Sequence, residues 1–362
     1  MPQLGISLAV LKAQKEIFGN AAPSTKITPA GTLAYGLSNQ RANILSQTVD
    51  PRTGYIRDVT IRYPKRAAAG ESVTEDGCSL QSEPAFFDQT IPTLSKRFKG
   101  IWFDMPTIKT FEADALAGRS TTTMAIVMDA LMNNINGLLQ DINADLAGSL
   151  VTGMNITTGL TTAKTVNFTQ NTTNNVLTAG MTSIMADIMA HETNVANVDI
   201  IGAGLINNYM LQQRAKGVDQ SGVDTSGLAL PNFWYDPAFT GTFGANHFLV
   251  VEKNSVQFIN ACMNRGNAIT GRFGSSEFDT ITFPITDAAG NSLGNLEFDI
   301  QYKEEDCPGD RLIGEDTSAK GRGMSVIVSC HYALAQVPAA AYLSTDRMYQ
   351  VNGVWRYVAT NA

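Results

Sequence analysis

The chain has 362 residues, 44% of them hydrophobic, with a formal net charge of −7. That length holds two or three lobes, and the acidity excludes a generally basic nucleic-acid binder. No run of about 18 apolar residues occurs, so no helical membrane span is expected, and Lys12, Lys15 and Glu16 interrupt Leu8 to Leu11 before a secretory signal core forms. The charge is uneven: residues 1–47 hold Lys12, Lys15, Lys26 and Arg41 against Glu16 alone, whereas the later helical region carries Asp129, Asp141 and Asp145. Cys78, Cys262, Cys307 and Cys330 show no paired spacing, which fits reduced thiols in a protein made in a cytoplasm. The glycosylation-type triplets at Asn155, Asn167 and Asn171 read as chance matches in an Asn/Thr-rich stretch.

The N-terminal 50 residues are expected to form a short amphipathic helix, Leu4 to Phe18, followed by an extended arm through Pro23, Pro29, Gly31 and Gly36. Residues 51–100 form the next unit, with a ribbon over 52–98. From Tyr55 to Tyr63 the residues alternate, with Val59, Ile61 and Tyr63 on one face and Asp58, Thr60 and Arg62 on the other, the period of a half-buried strand. Pro64 ends it. A small and polar tip runs from Ala67 to Cys78, and Ala85 to Ile91 returns. A two-stranded ribbon is only marginally stable alone, so its apolar face needs cover from elsewhere, either from this chain or from another copy.

Residues 100–118, with Trp102 and Phe103, are expected to link the ribbon to a long helix over Ser120 to Leu150. Met124, Met128, Leu131, Ile135, Leu138, Ile142 and Leu146 recur every three or four residues. At about 1.5 Å per residue this rod is roughly 45 Å long. Residues 151–175 read as a loop or loose hairpin. A helix (174–192), a buried strand (Val198 to Ile201), a helix (Leu205 to Lys216), a strand (Phe248 to Val251) and an element at Val256 to Met263 imply an α/β lobe near 180–270. A hairpin follows, with Ile281, Phe283 and Ile285 alternating on one strand and Leu296, Phe298, Ile300 and Tyr302 on the other. A charged loop leads to a strand over Met324 to Tyr332. Asn352-Gly353 signals a tight turn near the C-terminus.

The residues give no catalytic, cofactor-binding or metal site, and the chain reads as not an enzyme. His191, His247 and His331 share no motif. Gly202-Ala-Gly204 stands where a strand meets a helix, the context of a dinucleotide fingerprint, but Asn207 replaces the third glycine; a tight turn explains the pair. Asp141 and Asp145, at i and i+4, and the run Glu304-Glu305-Asp306 read as solvated faces. Arg57, Arg62, Lys65 and Arg66 on the ribbon and its tip stand against Glu71, Glu75, Asp76 and Glu83. They are candidate contacts between subunits, where complementary pairs would set register; solvated surface is the plainer alternative.

In segmental order the chain resembles the HK97-like major capsid proteins of tailed phages. The resemblance implies an α+β fold with an N-arm (1–50), an extended loop (51–100), a peripheral lobe with a spine helix (101–178, the helix at 120–150), an α/β axial lobe (179–272), return strands of the peripheral lobe (273–340) and a C-terminal segment (341–362). It implies self-assembly, through hexamers and pentamers, into an icosahedral shell around double-stranded DNA. Decoration, scaffolding and portal proteins would be further partners, with DNA contacted non-specifically and no membrane. The location implied is the virion, with assembly in a host cytoplasm. Starting at Met1 without a long charged leader, the chain is expected to lose no large scaffolding segment. The alternatives are an encapsulin-type shell, an arm-exchanged oligomeric enzyme and another virion structural protein.

Overall fold

The computed structural model describes residues 31–38, 44–49, 56–64, 86–91, 94–117, 120–152, 164–171, 176–178, 183–186, 197–215, 231–253, 256–261, 272–273, 276–286, 292–306, 322–336 and 354–361. Within them helices and strands mix in three sheets, an α+β arrangement. The expected helix over 4–18, the ribbon tip and the turn at 352–353 lie outside these residues.

The first sheet is a small ribbon of β1 (Ile44–Val49), β2 (Ile56–Pro64) and β3 (Phe86–Ile91), in that order. The ribbon is therefore three-stranded, because the preceding arm adds a strand. The arm also forms helix α1 (Gly31–Ser38), where the sequence, with two glycines and no periodicity, was read as extended. Seven of its eight residues are buried, so tertiary contact overrides a weak intrinsic preference.

The second sheet is built from β4 (Ser95–Asp104), β10 (Val256–Ala261), β11 (Arg272–Phe273), β12 (Ser276–Thr286), β13 (Ser292–Asp306) and β14 (Arg322–Gln336). The hairpin expected from alternation is β12 and β13, in the register Ile281 opposite Phe298 and Phe283 opposite Leu296. The stretch expected to be a linker is instead edge strand β4, paired with β14, followed by helix α2 (Met105–Leu116). Asp104 caps α2, its Oδ1 accepting from the Thr107 N–H at 3.0 Å. On its other edge β14 carries two strands end to end, β13 along 322–329 and β10 along 331–336. Asn260 bridges the seam: its Oδ1 accepts from the Glu297 N–H at 2.8 Å and its Nδ2 donates to the Glu297 carbonyl at 3.1 Å. One side-chain amide thus supplies both halves of a missing ladder step.

Helix α3 (Ser120–Thr152, 33 residues) lies on one face of this sheet. Ile135, Leu138, Leu139, Ile142 and Leu146 pack with Leu296, Phe298 and Ile300 of β13 and with Val326, Val328, Cys330 and Tyr332 of β14, joined by Leu33 and Leu37 of α1. This is the seam the periodicity predicts for Ile135, Leu138 and Ile142. Among the described residues no helix is long and apolar enough to cross a membrane.

The third sheet runs β6 (Val176–Thr178), β5 (Lys164–Asn171), β15 (Val354–Asn361), β9 (His247–Glu252), β7 (Val198–Gly202), β8 (Asn232–Tyr235). Both faces are covered. Val198, Ile200, Phe248, Val250, Trp355 and Tyr357 pack on one side with Ile206, Tyr209 and Met210 of α4 (Leu205–Ala215). Ile201, Leu249, Val251 and Val354 pack on the other with Phe239 and Phe243 of α5 (Ala238–Phe243) and with Ala147 and Leu150 at the end of α3. The loose hairpin expected before residue 175 is β5 and β6. The range expected to be a helix, 174–192, begins instead with strand β6, and within it residues 183–186 are helical as expected. Sheet membership also cuts across the chain ranges read for the lobes. β10, within the range given to the α/β lobe, pairs with β14, while β15 from the C-terminal segment pairs with β9 and β5.

Candidate functional site

The ribbon was singled out for an apolar face with no local cover. At its root the cover comes from this chain, one of the two sources expected. Val59 and Ile61 are fully buried, packed with Leu94, Ile259 of β10 and Ala335 of β14. Strand alternation puts these contacts on the face of the second sheet opposite α3, since Phe258 and Leu334, their chain neighbours, pack toward the helix side. Helix, sheet and ribbon root form three layers.

The other face of the ribbon is polar and partly exposed. Thr60 and Thr90 share a hydroxyl hydrogen bond of 3.1 Å, and Arg62 forms a two-pronged pair with Asp88 at 2.7 and 2.8 Å. Both pairs join residues directly opposite each other, the contact that steadies a two-strand step. The Arg62 hydrogen bonds hold the Asp88 carboxyl below its usual range. Of the candidate contact residues, Arg57 lies on β2, and Lys65, Arg66, Glu71 and Glu75 lie outside the described residues. Arg62 is thus the candidate whose side-chain partner is seen, and that partner is in its own ribbon.

Asp141 and Asp145, read as a solvated face, are engaged. Arg97 of β4 donates to both oxygens of Asp145 at 2.6 and 2.8 Å, the Tyr332 hydroxyl donates to the same carboxylate, and Lys99 pairs with Asp141 at 3.0 Å. The i, i+4 spacing on α3 matches the i, i+2 spacing on β4, so helix and edge strand are clamped at two points. The Arg97 hydrogen bonds pull the Asp145 carboxyl below the ordinary range, and burial, helped by Asp145, pushes the Tyr332 hydroxyl up. The signal in the sequence was the alternation of Arg97 and Lys99 beside an acidic pair.

The glycine turn is filled by the chain itself. A Cβ on Gly202 would stand 2.5 Å from that of Phe248, and Gly204, at φ +75°, approaches Asn246. Asn246 Oδ1 accepts from the Leu205 N–H at 3.1 Å at the start of α4, where a pyrophosphate would have to sit. Close packing explains both glycines. His247 accepts through Nδ1 from Arg356, and burial followed by the Arg356 charge lowers its pKa. His331 Nδ1 lies 3.4 Å from Asp299 Oδ2, and His191 is outside the described residues. Among the described residues no three His, Cys, Asp or Glu side chains gather in a metal-binding group.

A buried polar node joins distant segments. The Asp236 carboxylate, fully buried, accepts from the Thr32 N–H at 2.9 Å, the Thr32 hydroxyl, Asn143 Nδ2 at 2.9 Å and the Ala238 N–H at 2.9 Å. Asn143 Oδ1 in turn accepts from the Leu33 N–H at 2.9 Å. Sequence reading missed this node. Its signal was Asn143, a polar residue among the apolar positions Leu139, Ile142 and Leu146.

No family model matches the chain, and no curated protein matches it. Its likenesses include phage structures. A chain of the cyanophage A-1(L) capsid asymmetric unit is 12% identical, covers 93% of this chain and 94% of its own, and gives a TM-score of 0.46. A chain from Mycobacterium phage Bobi is 10% identical over 95% and 94%, with a TM-score of 0.42. One from the asymmetric unit of the bacteriophage PhiM1 mature capsid is 8% identical over 84% and 83%, with a TM-score of 0.37. These scores lie below 0.5, so the functional reading rests on the packing of this chain's own residues.

Proposed function

We propose that the chain is a structural major capsid protein of a tailed bacteriophage, with an HK97-like fold, that assembles with copies of itself into an icosahedral shell around double-stranded DNA. The layering of α3, the second sheet and the ribbon root carries this reading. A subunit whose ribbon is rooted on its own sheet by Val59 and Ile61 offers the segment between β2 and β3 from a fixed base. A ribbon rooted in this way suits a shell, which needs large contacts among identical subunits and no reaction centre. In this reading α3 is the spine helix, the second sheet belongs to the peripheral lobe and the third to the axial lobe. Arg57, Arg62, Lys65, Arg66, Glu71 and Glu75 then set the register of the arm on a neighbour. Decoration, scaffolding and portal proteins would join the shell in the host cytoplasm.

The purified protein tests the proposal directly. Electron microscopy and sedimentation should reveal closed shells of one or a few sizes, and particles from infected cells should contain nuclease-protected DNA. A chain that stays monomeric across the assembly conditions used for shell proteins would overturn the assignment. Closed shells holding protein cargo and no nucleic acid would replace it with a cargo compartment.

A further inference from the structure

We propose that α1 is the lock that fixes the second and third sheets relative to each other, with the Asp236 node as its catch. The inference concerns the subunit alone and stands whether or not the shell assignment does. Three observations support it. First, α1 contributes to both cores at once: Leu33 and Leu37 belong to the core on the second sheet, whereas Tyr35 belongs to the core on the third. Second, α1 sits closely on both sides. A Cβ on Gly31 would be 2.4 Å from the Tyr235 carbonyl oxygen at the end of β8, and one on Gly36 would be 2.9 Å from the Phe258 Cβ of β10. Third, the node ties together Thr32 of α1, Asn143 of the long helix and Asp236 of the loop between β8 and α5, residues from three separate parts of the chain.

The chemistry of the node favours a coupling role. A buried carboxylate is costly unless its lone pairs are satisfied. Here the donors, from Thr32, Asn143 and Ala238, are neutral and come from both sides of the junction, so displacing α1 removes two of them and strands the carboxylate. An eight-residue helix with two glycines has too little intrinsic stability to persist undocked. Its order and the placement of the sheets should therefore appear and disappear together. Besides α1, the two sheets are joined by α3 and at the corner where Val256 and Leu334 meet the core of the third sheet.

The test uses the full chain. Asp236→Asn replaces an acceptor oxygen with a donor and should split thermal unfolding, seen by calorimetry, into two transitions. Arg97→Ala, which breaks the clamp between β4 and α3 and leaves the contacts of α1 and Asp236 in place, should keep a single transition. Thr32→Val is the milder variant and guards against a misfolded Asp236→Asn. A hydrogen bond to a charged group typically changes an equilibrium by about 10- to 100-fold, so its amide exchange in α1 and at 236–239 should rise by about that factor. Exchange at the centres of β9 and β14 should stay within about 3-fold. A single shifted transition for Asp236→Asn, or exchange that rises equally in α1, β9 and β14 for Thr32→Val, would show that α1 is ordinary core and overturn the proposal. No change in α1 exchange with Thr32→Val would overturn the catch.

Discussion

Leu138→Ala tests the packing of the long helix. Leu138 is fully buried and shares its cluster with Leu296, Phe298 and Ile300 of β13. The change deletes three carbons, about 2.4 kcal/mol at about 0.8 kcal/mol per buried carbon. An incompletely collapsed cavity adds about 1 kcal/mol, for a total near 3.5 kcal/mol, inside the usual range for such truncations. At about 2.1 cal/mol/K per residue, unfolding of 362 residues carries an entropy of about 0.76 kcal/mol/K, so the midpoint should fall by about 5 °C. Gln140→Ala, two residues on and exposed, should stay within about 0.5 kcal/mol. Circular dichroism melts and urea titrations of both variants are the assay. A Leu138→Ala midpoint equal to that of Gln140→Ala would refute the placement of α3 on the sheet.

The arm gives two more tests. Replacing residues 65–85 by an Asn-Gly turn should leave the monomer's melting unchanged and abolish sedimenting particles; normal particles would remove the arm from the assembly mechanism. Arg62→Glu with Arg66→Glu should block assembly because like charges at an interface cost several kcal/mol, and Arg62→Ala separates that repulsion from simple loss of the Asp88 pair. Val59→Ala, in contrast, should destabilise the isolated subunit by about 1–3 kcal/mol, because its cover is its own β10 and β14; a stable Val59→Ala monomer would mean that the root is held only in the shell. Acid tests the helix clamp. Arg97 depresses the Asp145 carboxyl in the folded state, so its stabilisation is complete above the unfolded value of about 4 and is lost as the pH falls through the folded value. Urea midpoints should therefore drop more steeply below about pH 4 in the wild type than in Asp145→Asn; parallel slopes would deny the clamp any role.

Periodicity made the long helix and the β12–β13 hairpin legible, because Ile135, Leu138 and Ile142 on the one and Leu296, Phe298 and Ile300 on the other recur at the spacing of a single face and are buried together. It could not reveal α1: Gly31, Thr32, Gly36 and Ser38 favour no helix by themselves, and only the sockets at Tyr235 and Phe258 select one. β4 was hidden for a related reason. Arg97 and Lys99 occupy the helix-facing side of an edge strand, so its alternation is charged rather than apolar. β6 lost its helical reading to pairing with β5, a partner that no local pattern names. Of the candidate contact residues, the sequence marked Arg62 for its charge. That its partner is Asp88, directly opposite on the returning strand, depends on a register set beyond the turn.

Asn260 has a consequence for how this sheet tolerates change. Two strands share one edge of β14 end to end, and the amide completes the step between them. The register of β13 on 322–329 and of β10 on 331–336 is then settled locally, on each side of the joint. β12 pairs with β13 on the edge away from β14, so a change of length at the outer end of the β12–β13 hairpin should leave β10 in its seat. Asn260→Leu would remove that insulation, and insertions that the native chain absorbs would then propagate into the strand beneath the long helix.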